Sequence, residues 1–193
     1  SGRGTNLQSI IDHIKKGKLD ADIKVVISDN KNSGALHRAH KEGVSHYHID
    51  QSNCDNRTDF ERKLIKKLTD YDVELVVLAG FMQILSPFFI NKYDNQIMNI
   101  HPSLLPAFRG LDAQKQALDY GVKVSGCTVH FVDKGMDTGP IILQEVVPVK
   151  DDDTVESLSA RILEKEHEVY PEAIRLYEEG KLKICQGRVV IVD

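Results

Sequence analysis

Cysteine is scarce in this sequence: among 193 residues only Cys54, Cys127 and Cys185 carry a thiol. An odd number without CxxC spacing excludes a disulfide framework and a four-cysteine zinc site, and a reducing, cytoplasmic setting is expected. Long apolar runs are missing as well. The longest, residues 73–85, is interrupted by Glu74 and Gln83 and falls short of the roughly 20 residues a membrane-spanning helix needs. No signal-peptide pattern opens the sequence, so neither membrane insertion nor export is expected. A strong charge of one sign is absent too, with 25 basic against 29 acidic side chains and a formal net charge of -4. That balance argues against a polyphosphate groove, and so against nucleic acid as a partner, while leaving room for a local patch that holds one anion. The hydrophobic content of 41% is that of one ordinary globular domain able to bury a core without staples.

Strand-like and helix-like periods alternate along most of the chain, the pattern of crossover units that build a parallel sheet. The expected fold is therefore α/β, a Rossmann-like open sheet, parallel in its N-terminal half and mixed in its C-terminal half, in a single domain over 1–193. Leu7, Ile10, Ile11 and Ile14 recur at helical spacing until Gly17 stops the run. A buried strand is predicted over 23–28, a helix over 33–42 closed by Gly43, an alternating strand over 44–49, and a helix over 57–68 that stacks Phe60, Leu64 and Leu68. Residues 74–79 have the look of the most buried strand. Gly80 breaks it, Ser86-Pro87 starts another helix, and 96–100 is a strand leading into His101-Pro102. Two extended stretches rich in Val and Ile, 122–132 and 140–149, flank a turn at 133–139, and a long helix over 155–179 and a hairpin over 181–192 complete the chain. The acidic run Asp151-Asp152-Asp153 fits a helix start better than a metal cluster, because carboxylates favour the positive end of the helix dipole.

Three segments carry polar groups that chemistry can use. Ser1-Gly2-Arg3-Gly4-Thr5-Asn6 precedes the first helix, so its amides can hold a phosphate, with Thr5 and Asn6 adding side-chain hydrogen bonds. Taken alone, the plainer reading of Thr5 or Asn6 as an N-cap is slightly favoured. Such a loop ordinarily follows a hydrophobic strand, so a strand ahead of Ser1 is expected. Asn99 and His101 share one face at the carboxyl end of a strand, the edge where open parallel sheets bind ligands. There an amide that can donate to a developing oxyanion stands beside an imidazole that can move a proton, although a lone strand-end histidine is more often structural. Asp137, in the turn, is either an Asx-turn residue or an acid facing His101 that would favour the imidazolium and fix its ring. Sequence distance leaves both open. With no GxSxG or thiol-protease signature, direct transfer is preferred to a covalent enzyme intermediate. His37, His40, His46 and His48 fall on two elements without metal-ligand spacing, and no metal is expected.

The segments Ser1-Gly2-Arg3-Gly4-Thr5-Asn6-Leu7-Gln8, Leu78-Ala79-Gly80-Phe81-Met82, Asn99-Ile100-His101-Pro102-Ser103-Leu104-Leu105-Pro106, Met136-Asp137-Thr138-Gly139-Pro140-Ile141 and Glu166-His167-Glu168-Val169-Tyr170-Pro171 resemble, in order and over nearly the whole chain, the phosphoribosylglycinamide formyltransferases of the folate-dependent formyltransferase family. The Asn-x-His-Pro-Ser-Leu-Leu-Pro block with its downstream Asp-x-Gly-Pro carries most of that specificity. The resemblance implies the formyltransferase fold and transfer of a formyl group from 10-formyltetrahydrofolate, as co-substrate, to the amine of glycinamide ribonucleotide in purine biosynthesis, without metal. It assigns catalysis to Asn99, His101 and Asp137, the substrate phosphate to Gly4, Thr5 and Asn6, and the ribose to Glu166. It assigns the folate to Arg57, to Phe81, Met82, Gln83, Ile84 and Leu85, and to Asp133, Met136 and Asp137. Gln83 stands where many relatives carry arginine, and an amide lacks the charge and the five-donor fork. The implied partners are these two small molecules, with no nucleic acid and no membrane, for a monomer or homodimer. Relatives acting on methionyl-tRNA add an RNA-binding domain, and those that hydrolyse the folate add an N-terminal regulatory one; neither is expected in 193 residues. A nonenzymatic nucleotide-binding domain would use the glycine loop alone and would have no need of the polar face at Asn99 and His101.

Overall fold

An amphipathic helix, α1 (Thr5–Lys15), opens the first of two units in the computed structural model, which describes residues 2–193; Ser1 of the glycine-rich loop lies outside the described residues. The first unit ends at Ile97 and the second is Met98–Asp193. The apolar stripe of α1 buries Ile10 and Ile11 as its spacing predicts. Strand β1 (Val26–Ser28) follows, then α2 (Gly34–Lys41), capped by Ser33 Oγ, which accepts the Leu36 amide proton at 3.3 Å. Strand β2 (His46–His48) pairs with β1 in parallel, with Ile27 opposite Tyr47. After a 3-10 turn at Gln51–Asn53, the Asn56 side chain caps α3 (Arg57–Asp70), which buries Phe60, Leu64 and Leu68. Strand β3 (Val76–Leu78) and α4 (Pro87–Lys92), with Ser86 at its N-cap and Pro87 in its first turn, complete the unit.

Backbone contact explains one glycine of the opening loop. Gly4 has φ 70°, and a Cβ there would stand 2.6 Å from the Ala35 amide nitrogen, while a Cβ on Gly34 would stand 2.3 Å from the Arg3 carbonyl oxygen. The loop therefore lies directly on the first turn of α2, and the Gly34 amide donates to the Gly2 carbonyl at 3.2 Å. Gly4→Val should cost about 2 kcal/mol or more, from left-handed strain and overpacking together, in urea denaturation. A melt unchanged from wild type would show that the loop can move off α2.

In the second unit, β4 (Ile97–His101), from Met98 on, pairs antiparallel with β5 (Val124–Phe131), which pairs antiparallel with β6 (Ile141–Pro148). Helix α5 (Ala113–Tyr120), between β4 and β5, was not legible in the sequence. It buries only Ala113 and Ala117, too small an apolar stripe to stand out, and its ends are set by left-handed residues, Asp112 at φ 56° and Gly121 at φ 79°. Helix α6 (Val155–Glu178) packs on β5 and β6, and its buried Tyr170 hydroxyl donates to the Met98 carbonyl at 3.0 Å. The strands β7 (Leu182–Cys185) and β8 (Arg188–Ile191) form the expected hairpin.

Two strand expectations are corrected. The ladder of β1 holds three residues instead of 23–28, since Asp22 and Lys24 are exposed and pair with each other at 3.0 Å. The most buried strand is β5, buried from Ser125 to Phe131, whereas β3 buries only Val76. A strand covered on both sides loses its alternation whatever its apolar content. The acidic run does serve as a helix start. Asp153 accepts two hydrogen bonds from Arg161 at 2.8 Å and one from Ser157 Oγ at 2.7 Å, and the guanidinium holds its carboxyl well below the usual range. Among the described residues no helix is long and apolar enough to cross a membrane.

Candidate active site

Strand β4 delivers Asn99 and His101 two residues apart, Asn99 half-buried and His101 buried. The chain that leaves β4 is tied down by β5 and β6. Thr128 Oγ1 accepts the Leu105 amide at 3.0 Å and donates to the Ser103 carbonyl at 2.7 Å, and Gln144 Nε2 donates to the Leu105 carbonyl at 3.0 Å. Ser103 Oγ donates to the Ala107 carbonyl at 2.6 Å. This bracing sets the next carbonyl, that of Phe108, 2.8 Å from His101 Nε2. A carbonyl only accepts, so Nε2 carries a hydrogen and Nδ1 is the nitrogen turned elsewhere.

It turns to Asp137. His101 Nδ1 lies 3.4 Å from Asp137 Oδ2, which also accepts the Gly110 amide proton at 2.9 Å. Asp137 itself sits at φ 52°, a left-handed conformation that aims its side chain out of the turn. Of the two readings open for Asp137, the geometry supports the acid facing His101. The turn's Asx residue is Asp133, whose Oδ1 accepts the Gly135 amide at 3.0 Å and the Thr138 hydroxyl at 2.6 Å.

His130, which the sequence reading passed over, completes the group. It lies directly opposite Asn99 in the β4–β5 register, and the two side chains meet at 3.2 Å, Nδ2 to Nε2. Its Nδ1 donates to the Phe131 carbonyl at 2.9 Å, so Nε2 of the neutral ring accepts from the Asn99 amide. That fixes which way the amide points and leaves its second N–H for another acceptor. The signal was a lone histidine inside a run of Val, Thr and Phe, invisible without the register. Burial pushes the His130 imidazole below its ordinary 6.5 despite Asp137 Oδ1 at 3.6 Å from Nε2. Between that lowered value and 6.5 the unfolded chain binds a proton that the folded chain does not, so stability rises with pH across this window and is lost on acidification. Urea melts from pH 7 to pH 5 should show a shallower loss in His130→Asn than in wild type; parallel slopes would mean that His130 is not held neutral.

The other predicted residues fall in both units. In the first, Thr5 and Asn6 open α1, whose N-cap Gly4 provides no side-chain hydrogen bond. Gln83 Nε2 donates to Asp29 Oδ2 at 3.1 Å, and Arg57 donates to the Ile84 carbonyl and to Glu61. Phe81 is half-buried and Met82 and Ile84 are exposed, whereas Leu85 is turned into the core at 5% exposure. In the second unit Met136 is exposed and Glu166 is a buried carboxylate on α6. Burial, then the Glu166 and Glu145 carboxylates, push the Cys127 thiol up to about 12, which makes it inert as a nucleophile. The His40 and His46 rings meet edge to face at 5.5 Å, and His48 reaches the Asp29 carbonyl at 3.3 Å. Among the described residues no group of three or more His, Cys, Asp or Glu side chains is placed to hold a metal ion.

Comparison with known proteins extends these observations. The formyl transferase family model matches residues 1–174. The chain is similar to the trifunctional purine biosynthetic protein adenosine-3 of Gallus gallus, at 45% identity over 97% of this chain but only 19% of that protein's length. It is similar to phosphoribosylglycinamide formyltransferase of Escherichia coli K12, at 41% identity over 97% of this chain and 88% of that protein. Among solved structures, glycinamide ribonucleotide transformylase 1 from Symbiobacterium toebii superposes with a TM-score of 0.98 at 52% identity, over 100% of this chain and 91% of that one. A match of this span, on relatives of this identity and on the same fold, places the chain in one family: it belongs to the formyl transferases.

Proposed function

We propose that the chain transfers the formyl group of 10-formyltetrahydrofolate, a co-substrate, to the terminal amine of glycinamide ribonucleotide, acting as one catalytic domain. The observation that carries the reading is the polar group on β4 and in the β5–β6 turn, where Asp137 stands 3.4 Å from His101 Nδ1 and Asn99 shares the strand face with His101. In the reaction the glycinamide amine bonds to the formyl carbon and the carbonyl electron pair moves onto oxygen. Collapse of that tetrahedral species breaks the carbon–N10 bond, the amine gives up one proton, and N10 takes one. The second Nδ2–H of Asn99 donates to the oxyanion. His101 donates its Nε2–H there as well, exchanging the Phe108 carbonyl for the stronger, charged acceptor. Asp137 holds the ring from the opposite nitrogen, at 3.4 Å from Nδ1, and so fixes its orientation.

The amides at the start of α1, with Thr5 and Asn6, take the phosphate of the ribonucleotide, since the dipole and the unpaired N–H groups of a helix N-terminus favour an anion. Glu166 receives the ribose. The segment 81–85, with Arg57, and the turn at Asp133, Met136 and Asp137 receive the folate. The protein works in the cytosol as a monomer or homodimer, with no metal. An assay offering glycinamide ribonucleotide, methionyl-tRNA and water as competing acceptors tests the reading. At least about 90% of the formyl group should reach glycinamide ribonucleotide, because a site that fits one acceptor discriminates by several kcal/mol against others. Predominant formate release would instead identify a hydrolase, and formyl-methionyl-tRNA a tRNA-directed enzyme.

A further inference from the structure

Glu61 is a carboxylate with 1% exposure in the middle of α3, and the glycine loop, the polar face of β4 and the turn do not account for it. Three hydrogens meet it. The Ser86 amide donates to Oε1 at 2.7 Å, the Ser86 hydroxyl donates to Oε2, and Arg57 Nε donates to Oε1 at 3.3 Å. Arg57, one turn earlier on α3, uses its other end to donate to the Ile84 carbonyl. One ion pair on a single helix face therefore grips a backbone carbonyl at 84 and a backbone amide at 86. Between them Leu85 is anchored in the core, at 5% exposure, while Met82 and Ile84 on the same segment stand open at 68% and 57%. Ser86 is the N-cap of α4 yet makes no cap bond to that helix, because its hydroxyl is turned to Glu61.

A buried carboxylate whose partner guanidinium is half exposed adds little stability over an apolar residue of the same volume, and its best use is to specify one geometry. Here the geometry specified is that of a backbone. A flat heteroaromatic ring with donors and acceptors along its edge can be read by main-chain groups, provided that those groups do not move. We propose that Glu61 is a positioning residue for the formyl donor: acting through Ser86 and Arg57, it holds the 84–86 backbone in the arrangement that receives the folate. This rests on the assignment of segment 81–85 to the folate made above, which Ser86 directly follows.

The test compares Glu61→Leu, which keeps the buried volume but accepts nothing, with Glu61→Gln, whose Oε1 still accepts from Ser86 and Arg57. Amide hydrogen exchange at Ser86 is followed by NMR in the ligand-free protein, and binding of a 10-formyl folate analogue and of glycinamide ribonucleotide by calorimetry. In Glu61→Leu the Ser86 amide should exchange about tenfold faster or more and the folate analogue should bind about tenfold more weakly, with ribonucleotide affinity within about twofold of wild type. Glu61→Gln should recover most of both losses. Unchanged Ser86 exchange in Glu61→Leu overturns the proposal, and so does an equal loss of both ligands, which marks a purely structural role. Faster exchange with undiminished folate binding shows that Glu61 holds the segment but that the folate lies elsewhere, which removes the assignment underneath. If Glu61→Leu does not fold, Ser86→Ala deletes one hydroxyl at the same clamp. It should weaken the folate analogue alone by a few-fold, and no change there also overturns the idea.

Discussion

His101→Ala and Asp137→Asn each lower turnover by about a hundredfold or more, and the double variant loses far less than the product of the two. The expectation follows from how the pair is held. His101 Nδ1 is 3.4 Å from Asp137 Oδ2, the ring is fixed at its other nitrogen by the Phe108 carbonyl at 2.8 Å, and the carboxylate is fixed by the Gly110 amide at 2.9 Å. In the proposed mechanism Asp137 acts through the imidazole, by orienting it, so once the ring is gone the carboxylate has little left to contribute. Substrate affinities should change much less than turnover, because the oxyanion and the transferred proton exist only past the ground state. The measurement is a double-mutant cycle on turnover number with both substrates saturating. Strictly multiplicative losses would mean that the two residues act independently, and near-normal turnover in His101→Ala would remove the mechanism.

Asn99→Asp should be the most damaging single change at the site, with transfer reduced by about a thousandfold or more, against about a hundredfold for Asn99→Ala. The two replacements differ in what they leave behind. Alanine removes a donor. Aspartate is nearly isosteric but would set a negative charge where the proposed oxyanion forms and turn an acceptor toward His130 Nε2, which in the native pair receives the amide at 3.2 Å. Its Nδ1–H is already committed to the Phe131 carbonyl at 2.9 Å, so the ring has no second hydrogen to offer while it stays neutral. Single-turnover rates with preloaded donor separate this chemical effect from binding. If Asn99→Asp and Asn99→Ala are equally slow, charge at this position is irrelevant and loss of the amide donor accounts for the whole effect.

Local order in this protein is legible residue by residue. The stripes Ile10-Ile11 and Phe60, Leu64 and Leu68, the Ser33 cap and Pro87 in a first turn each mark a helix by residues a few positions apart, so α1, α2, α3 and α4 lie where the spacing puts them. The alternation at Asn99, Ile100 and His101 likewise places two polar groups on one strand face, since side-chain direction has a period of two. What spacing cannot supply is register. That Asn99 faces His130, that Asp137 and not Asp133 reaches His101, and that Glu61 meets Ser86 are decided by which strand pairs with which, by a left-handed residue that redirects a turn, and by helix packing. The same holds for α5, whose two buried alanines gain their meaning only from what covers them, and for β5, whose burial comes from its neighbours on both sides. The sequence by itself determined the α/β class, the helices other than α5 and the residue types of the site, because these depend on short-range sterics and periodicity. The tertiary structure alone decided which of those residues meet, because contacts between distant segments are selected by the packing of the whole chain and leave no local trace.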